Sequence, residues 1–271
     1  MLRIALLLSS TITIQSSVKT MALSIDIREE SGVRTLHFGS EWIQGAMRIA
    51  RPWHLELDYT KEMMASLLLR DEGHFPRKVL LIGLGAASLT KFLYRNYPLA
   101  KLTVVEIEPN VVAAARHFFK LPDDPLRINM VIADGVDYVV NSDKTWDLIL
   151  VDGFDEDARA GGLDTLPFYQ AVRAHLSDNG IMAVNLLGRS HGFKDSVERI
   201  SSAFDGRALA FPSCDSGNTI AFAATGEQVS IALGDLKEQA SALKEKTGLN
   251  LQPALSRLEQ AQTCAGSVLV L

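Results

Sequence analysis

Seven positions in this chain have the residue types that hold a nucleoside and activate an amine, and they recur at regular intervals. "LIGLGAAS" carries Gly83 and Gly85, "VVEIE" carries Glu106, "IADGVD" carries Asp134 and Gly135, and "LVDGFD" carries Asp152 and Asp155. Glycine lets a backbone come close to a ligand. Glu106 lies 21 residues beyond Gly85, a spacing at which a carboxylate accepts hydrogen bonds from both hydroxyls of a ribose. Asp134 and Gly135 are placed to meet an adenine amino group. Each carboxylate taken singly is equally well a solvated loop residue or a helix cap, but acids at successive strand ends point to a nucleoside site. Asp152 and Asp155, with Glu156 and Asp157 beyond them, read either as a solvated acidic loop or as a loop that binds a cation and bears a base. A protonated amine, with a pKa of about 10, must lose a proton before it attacks carbon. A carboxylate takes that proton effectively only when held beside the amine in a desolvated site.

The elements that place these residues follow from patterning. From Val79 onward, apolar strands alternate with helices: "KVLLIGLG", "KLTVVEIE", "INMVIADG", "DLILVDGF" and "IMAVNLLG" are strands. "ASLTKFLYRNY", "PNVVAAARHFFKL", "LPFYQAVRAHLSDNG" and "GFKDSVERISSAF" are helices, the third ending at Gly180. Such alternation predicts a doubly wound parallel α/β sheet of the class I methyltransferase-like (Rossmann-like) kind. "RALAFPS" and "NTIAFAATG" close it as an antiparallel pair. Before the sheet, "SIDIREE", "VRTLHFGS" and "RPWHLELDY" predict a small antiparallel β unit, and "TKEMMASLLLRD" a connecting helix. The expected divisions are an extension over 1–20, a β-hairpin domain over 21–58, a nucleoside-binding catalytic domain over 59–227 and a helical tail over 228–271.

Composition narrows the function classes. The 271 residues are 47% hydrophobic, enough for one full domain and a smaller attachment. A formal charge of −5 argues against a nucleic-acid partner and tolerates a cationic substrate. Cys214 and Cys264 read as reduced thiols. His37, His54, His74, His117, His175 and His191 have no metal-ligand spacing, so no metal is expected. No phosphate-binding Gly-x-x-x-x-Gly-Lys loop is present, which excludes a P-loop NTPase. Ser190-His191 lacks a nucleophile elbow, so no hydrolase is expected. The first residues, with Arg3 and the short apolar run 4–8, read as an extension or an upstream start before Met21 rather than a signal peptide. A cytoplasmic homodimer without membrane contact is the expectation. The glycine loop alone leaves a nicotinamide dinucleotide open; the sheet ending in a β hairpin favours an adenosyl sulfonium.

The run "VLLIGLG…VVEIEPNVV…ADGVDYV…DLILVDGFD" resembles the polyamine aminopropyltransferases, the spermidine synthase family. "WIQGAM" and "ELDYTKEMM" resemble that family's β domain and its Tyr-His/Gln-Glu-Met segment, and "FPSCDSGNTIAF" its Pro-Thr-Tyr-Pro-Ser-Gly segment. The likeness spans Val33 to Ala224. It implies transfer of an aminopropyl group from decarboxylated S-adenosylmethionine to a small-molecule amine, without a metal. It makes Asp152 the general base, Glu106 the ribose ligand and Asp134 an adenine contact, with Gly83, Gly85 and Gly135 lining the co-substrate. Asp155 would steer the acceptor, with Tyr59 beside it, and Gln44 would face the donor.

Three positions depart from the family pattern. Ala86 stands where the family has an aspartate for the donor's ammonium, a loss of about 1.5–3 kcal/mol. Cys214 replaces the segment's tyrosine, and Lys61 brings a cation where a neutral residue is usual, a charge expected to repel a diamine. Two further readings stay open. One is an S-adenosylmethionine-dependent methyltransferase, whose methionine tail would suit an emptier pocket beside Ala86; the other is a non-catalytic adenosyl-binding homologue.

Overall fold

The computed structural model describes residues 24–70, 73, 75–155, 159–188, 192–214 and 217–271. The expectations placed on 1–20, Met21, His74, Glu156, Asp157, Ser190, His191 and the segment serine Ser216 lie outside the described residues.

The first hairpin follows from a two-residue turn. Ser31 and Gly32 both take positive φ, 51° and 76°, the twist that joins two right-twisted strands. Strands β1 (Asp26–Glu30) and β2 (Val33–His37) pair across it, and β3 (Gly45–Arg48) completes an antiparallel three-stranded sheet. The extended stretch expected over "RPWHLELDY" does not form. Pro52 offers no ladder N–H, the His54 N–H turns back to the Arg51 carbonyl at 3.1 Å, and helix α1 (Asp58–Met63) begins instead. The connecting helix tightens into a 3₁₀ turn over Met64–Leu68, all of it buried.

The main sheet comprises β4 (Lys78–Ile82), β5 (Lys101–Glu106), β6 (Ile128–Ile132), β7 (Trp146–Val151), β8 (Leu176–Leu187), β9 (Ala208–Ala210) and β10 (Asn218–Ala224). Their order is β6-β5-β4-β7-β8-β10-β9; the first five are parallel, and β10 lies antiparallel to both β8 and β9. The helices between them are α2 (Ser88–Asn96), α3 (Pro109–Phe118), α4 (Gly135–Val140), α5 (Leu166–Ala174) and α6 (Phe193–Ala203). Along β4, Val79 and Leu81 enter one apolar cluster while Leu80 and Ile82 enter the other. In β7, Leu148 and Leu150 alternate in the same way with Ile149 and Val151. Both faces are covered, so these strands read as unbroken apolar runs. This is the doubly wound sheet expected from the sequence, preceded by the small N-terminal sheet.

Two boundaries differ. Helix α5 stops at Ala174, not Gly180, because "SDNG" is a bulge in β8: Trp146 pairs with Leu176, but Leu148 pairs with Ile181. Ser177 donates to Asp147 at 3.1 Å and Thr225 donates to the Ser177 carbonyl at 2.7 Å, tying the bulge down. The C-terminal segment has the two expected helices, α7 (Leu233–Thr247) and α8 (Gln252–Gln260), and also a two-stranded sheet of β11 (Ser230–Ala232) and β12 (Val268–Val270). Three-residue strands are too short to leave a periodic signal. The helices are not merely a solvated cover: Leu236, Leu243, Leu255 and Leu258 enter the main core.

Candidate active site

The chain enters the main sheet at β4, winds out to β6 and returns beside β4 at β7. The loops after β4 and β7 therefore part, leaving a crevice at the carboxyl ends of the strands where such sheets bind ligands. A cleft of about 1200 Å³ fills it. Gln44, Tyr59, Gly83, Gly85, Glu106, Asp134, Gly135, Asp152 and Asp155, the residues singled out from the sequence, all line this one cleft.

The glycine loop is shaped by close approach. Gly83 has φ 92°, and a side-chain carbon there would lie 2.1 Å from the Asp152 carbonyl oxygen. The loops after β4 and β7 thus meet backbone to backbone, which only glycine allows. Gly85, at φ 48°, faces the Gln44 carbonyl in the same manner, at 2.8 Å. That contact brings the N-terminal sheet over the loop.

Glu106 ends β5 almost wholly enclosed. Its Oε2 accepts from the Leu84 N–H at 2.9 Å and its Oε1 from the Glu108 N–H at 3.0 Å. Burial pushes its pKa up, and the backbone donors partly hold it down. The Ile107 N–H is a third backbone donor to it, and the acceptor capacity that remains is suited to ribose hydroxyls. Asp134 is exposed at the cleft and caps α4, an element absent from the sequence expectation. Its Oδ1 accepts from the N–H groups of Val136 and Asp137 at 2.7 and 3.0 Å. The cap uses Oδ1 and leaves Oδ2 for a ligand. Ile107, 58% exposed, and Trp42, 64% exposed, add apolar surface to the cleft wall, which suits an aromatic base.

Asp152 follows β7 directly and lines the cleft, half-buried. Its Oδ1 accepts from Asn185 Nδ2 at 2.9 Å, and the Tyr59 hydroxyl donates to the same carboxylate. Asn185 Oδ1 in turn accepts from Asn218 Nδ2 at 2.9 Å. Burial raises the pKa of Asp152, and the bonds from Asn185 and Tyr59 oppose the rise. Tyr59 is pushed well above the usual phenol value, first by burial and then by the Asp152 charge, so it stays a donor. Sequence reasoning missed Asn185 and Asn218. The available signal was a polar residue inside the apolar run "IMAVNLL", since a buried amide needs partners.

Asp155 lines the cleft but already holds a cation. Arg159 donates to it through its backbone N–H at 2.8 Å and through Nε at 3.0 Å. One sequence expectation needs correction. Lys61 does not face the cleft: two residues along a helix are about 200° apart, so it projects opposite Tyr59. It pairs with Asp58 at 2.8 Å on the wall of a separate cavity of about 430 Å³. Ala86 lines the cleft, with β3 packed against it. Ala86 is 2% exposed, and a side-chain carbon on Gly45 would come within 2.7 Å of its Cβ, so β3 has closed over it. Cys214 is buried, its Sγ donating to the Asn218 carbonyl at 3.3 Å. Among the described residues, no cluster of three or more His, Cys, Asp or Glu side chains has the geometry to hold a metal ion. No helix there is long and apolar enough to cross a membrane.

Residues 57–202 match the spermine/spermidine synthase domain. A polyamine aminopropyltransferase of Chromobacterium violaceum is 35% identical over 248 residues, covering 91% of this chain and 94% of that protein. The crystal structure of human methyltransferase-like protein 13 in complex with SAH superposes with a TM-score of 0.64 at 25% identity, over 71% of this chain and 93% of that one. Spermidine synthase from Thermotoga maritima shares the fold, with a TM-score of 0.60 at 22% identity over 89% and 84% of the two chains. The sheet is thus methyltransferase-like in its architecture.

Proposed function

Because the chain belongs to the spermine/spermidine synthase family, we propose that it transfers an aminopropyl group from decarboxylated S-adenosylmethionine to a small-molecule amine. The co-substrate is adenosyl-based, and the cleft is large enough for it and an acceptor together, given that drug-sized ligands occupy about 300–1,000 Å³. The observation that carries this reading is the Asp152 carboxylate, oriented by Tyr59 and Asn185 in a cleft where, among the described residues, acids outnumber the one lining cation, Arg159. Acidic walls favour a cationic donor and an amine acceptor.

In the proposed reaction the acceptor's lone pair forms an N–C bond at the methylene beside the sulfonium, and the S–C pair leaves with sulfur. Asp152 takes the proton that the nitrogen must shed. Glu106 fixes the ribose, Asp134 and Gly135 bound the adenine, and Gly83 and Gly85 let the backbone close on the nucleoside. Gln44 covers the donor from the N-terminal sheet.

The test is to incubate the protein with a panel of amines and either decarboxylated or intact S-adenosylmethionine, and to identify products by mass spectrometry. Methylthioadenosine with an aminopropylated amine is expected. S-adenosylhomocysteine with a methylated product would overturn the reading in favour of methyl transfer; no product would favour a binding protein. A second expected result concerns pH. Asn185→Leu removes a bond that holds the Asp152 pKa down, so the rising acid limb of kcat/KM should move to higher pH while the donor KM stays within about threefold. A limb that stays put would remove Asn185 as the positioning residue for Asp152.

A further inference from the structure

Four carboxylates that line the cleft are paired with basic residues of the same chain. Glu41 pairs with Arg28, Glu56 with Arg48, Asp58 with Lys61 and Asp155 with Arg159. Arg28, Arg48 and Lys61 reach their partners from outside the cleft, whereas Arg159 itself lines it, the one basic side chain to do so among the described residues. Resting on the aminopropyl-transfer reading, we propose that Arg159 is an internal counter-ion that holds the acceptor's ammonium position on Asp155 and so sets the affinity for cationic acceptors.

Three features support the assignment. First, Arg159 engages both oxygens of Asp155, its backbone N–H on Oδ1 at 2.8 Å and Nε on Oδ2 at 3.0 Å, and the Asp155 N–H returns a bond to the Arg159 carbonyl at 3.0 Å. The backbone bonds keep Asp155 in place when the guanidinium leaves, so the carboxylate is preorganised for another cation. Second, the pair is solvated: the side chains are 68% and 44% exposed. An exposed pair of this kind contributes little. Third, Asp155 follows Asp152 by three residues on the same loop and lines the same cleft. An acceptor with two ammonium groups presents one amine to Asp152 and the other to Asp155, and Arg159 competes only with the second. The consequence is a smaller preference for diamines over monoamines, since Arg159 opposes only the diamine's second ammonium.

The experiment is equilibrium binding by calorimetry, using 1,4-diaminobutane as the probe and protein saturated with methylthioadenosine, so that no turnover is needed. Arg159→Gln should bind the diamine about two- to fivefold more tightly than the wild type, Arg159→Lys should bind it like the wild type, and butylamine should not distinguish the three proteins. Asp155→Asn combined with Arg159→Gln should lose the gain. Diamine affinity unchanged or weakened in Arg159→Gln, or a gain that persists without the Asp155 charge, would overturn the proposal. A tighter-binding variant of a protein that releases no methylthioadenosine from decarboxylated S-adenosylmethionine would instead sink the aminopropyl-transfer reading and leave the Arg159 assignment standing.

Discussion

Asp152→Asn should lower turnover by about 10²-fold or more while leaving methylthioadenosine affinity within about twofold and the melting temperature at pH 7 equal to or above that of the wild type. The rate loss follows from the proton: asparagine cannot accept it, so the acceptor stays charged as its nitrogen approaches the methylene. Donor affinity is spared because the ribose and adenine contacts belong to Glu106 and the loop at Asp134. The stability effect has the opposite sign to that of most buried substitutions. Burial raises the folded-state pKa of Asp152 above 3.8, its ordinary value. The folded protein then binds more protons than the unfolded chain between the two values, so stability falls as pH rises through that window and the cost is fully present above the folded-state value. Asparagine removes that cost and still accepts from Asn185 through its amide oxygen. Scanning calorimetry at pH 7 and near pH 3.8 checks it: the variant's advantage should shrink toward acid. Unchanged turnover would remove Asp152 as the base. A melting temperature well below the wild type at pH 7 would contradict the desolvation argument.

The second large effect is on donor binding. Glu106→Gln should weaken methylthioadenosine and donor binding by at least about a hundredfold, with kcat at saturating donor reduced less than about tenfold. A ribose diol donates two hydrogen bonds to a carboxylate, and bonds to a charged group are worth about 1.5–3 kcal/mol each. Glutamine has one acceptor oxygen where Glu106 has two, and both are already used by the N–H groups of Leu84 and Glu108. The amide NH₂ must therefore face either a backbone donor or a ribose hydroxyl. Holding the nucleoside equally before and at the transition state is uniform binding, which appears in KM rather than kcat. Stability does not decide this case, because relief from a buried charge and the loss of a backbone bond act in opposite directions. Isothermal calorimetry with methylthioadenosine does. Binding within threefold of the wild type would remove Glu106 from the ribose site.

The residues that the sequence placed well are those whose position depends on short-range order. Gly83, Gly85, Glu106, Asp134, Gly135 and Asp152 each follow directly from an apolar strand, and parallel strands in a doubly wound sheet deliver their carboxyl ends to one rim. Periodicity and turn chemistry are local properties, so the sheet and that rim were legible without coordinates. Gln44 and Tyr59 came only from the family likeness, because they reach the cleft from an element before the sheet.

What tertiary structure decided is how side chains distant in the chain face one another. The turn of α1 sends Lys61 away from the cleft and Tyr59 into it. The seat of β3 on the glycine loop packs Gly45 against Ala86. The register of β8 against β10 brings Asn218 to Asn185 and so, through it, to Asp152. The pairing of Arg159 with Asp155 changes an expected acceptor ligand into an occupied one. None of these leaves a periodic mark, since a contact across tens of residues depends on packing and register that no local window contains. The sequence alone determined a sheet with acids at its rim, because strand periodicity and loop position are set by neighbouring residues; packing across the chain determined which of those acids remain available to a ligand.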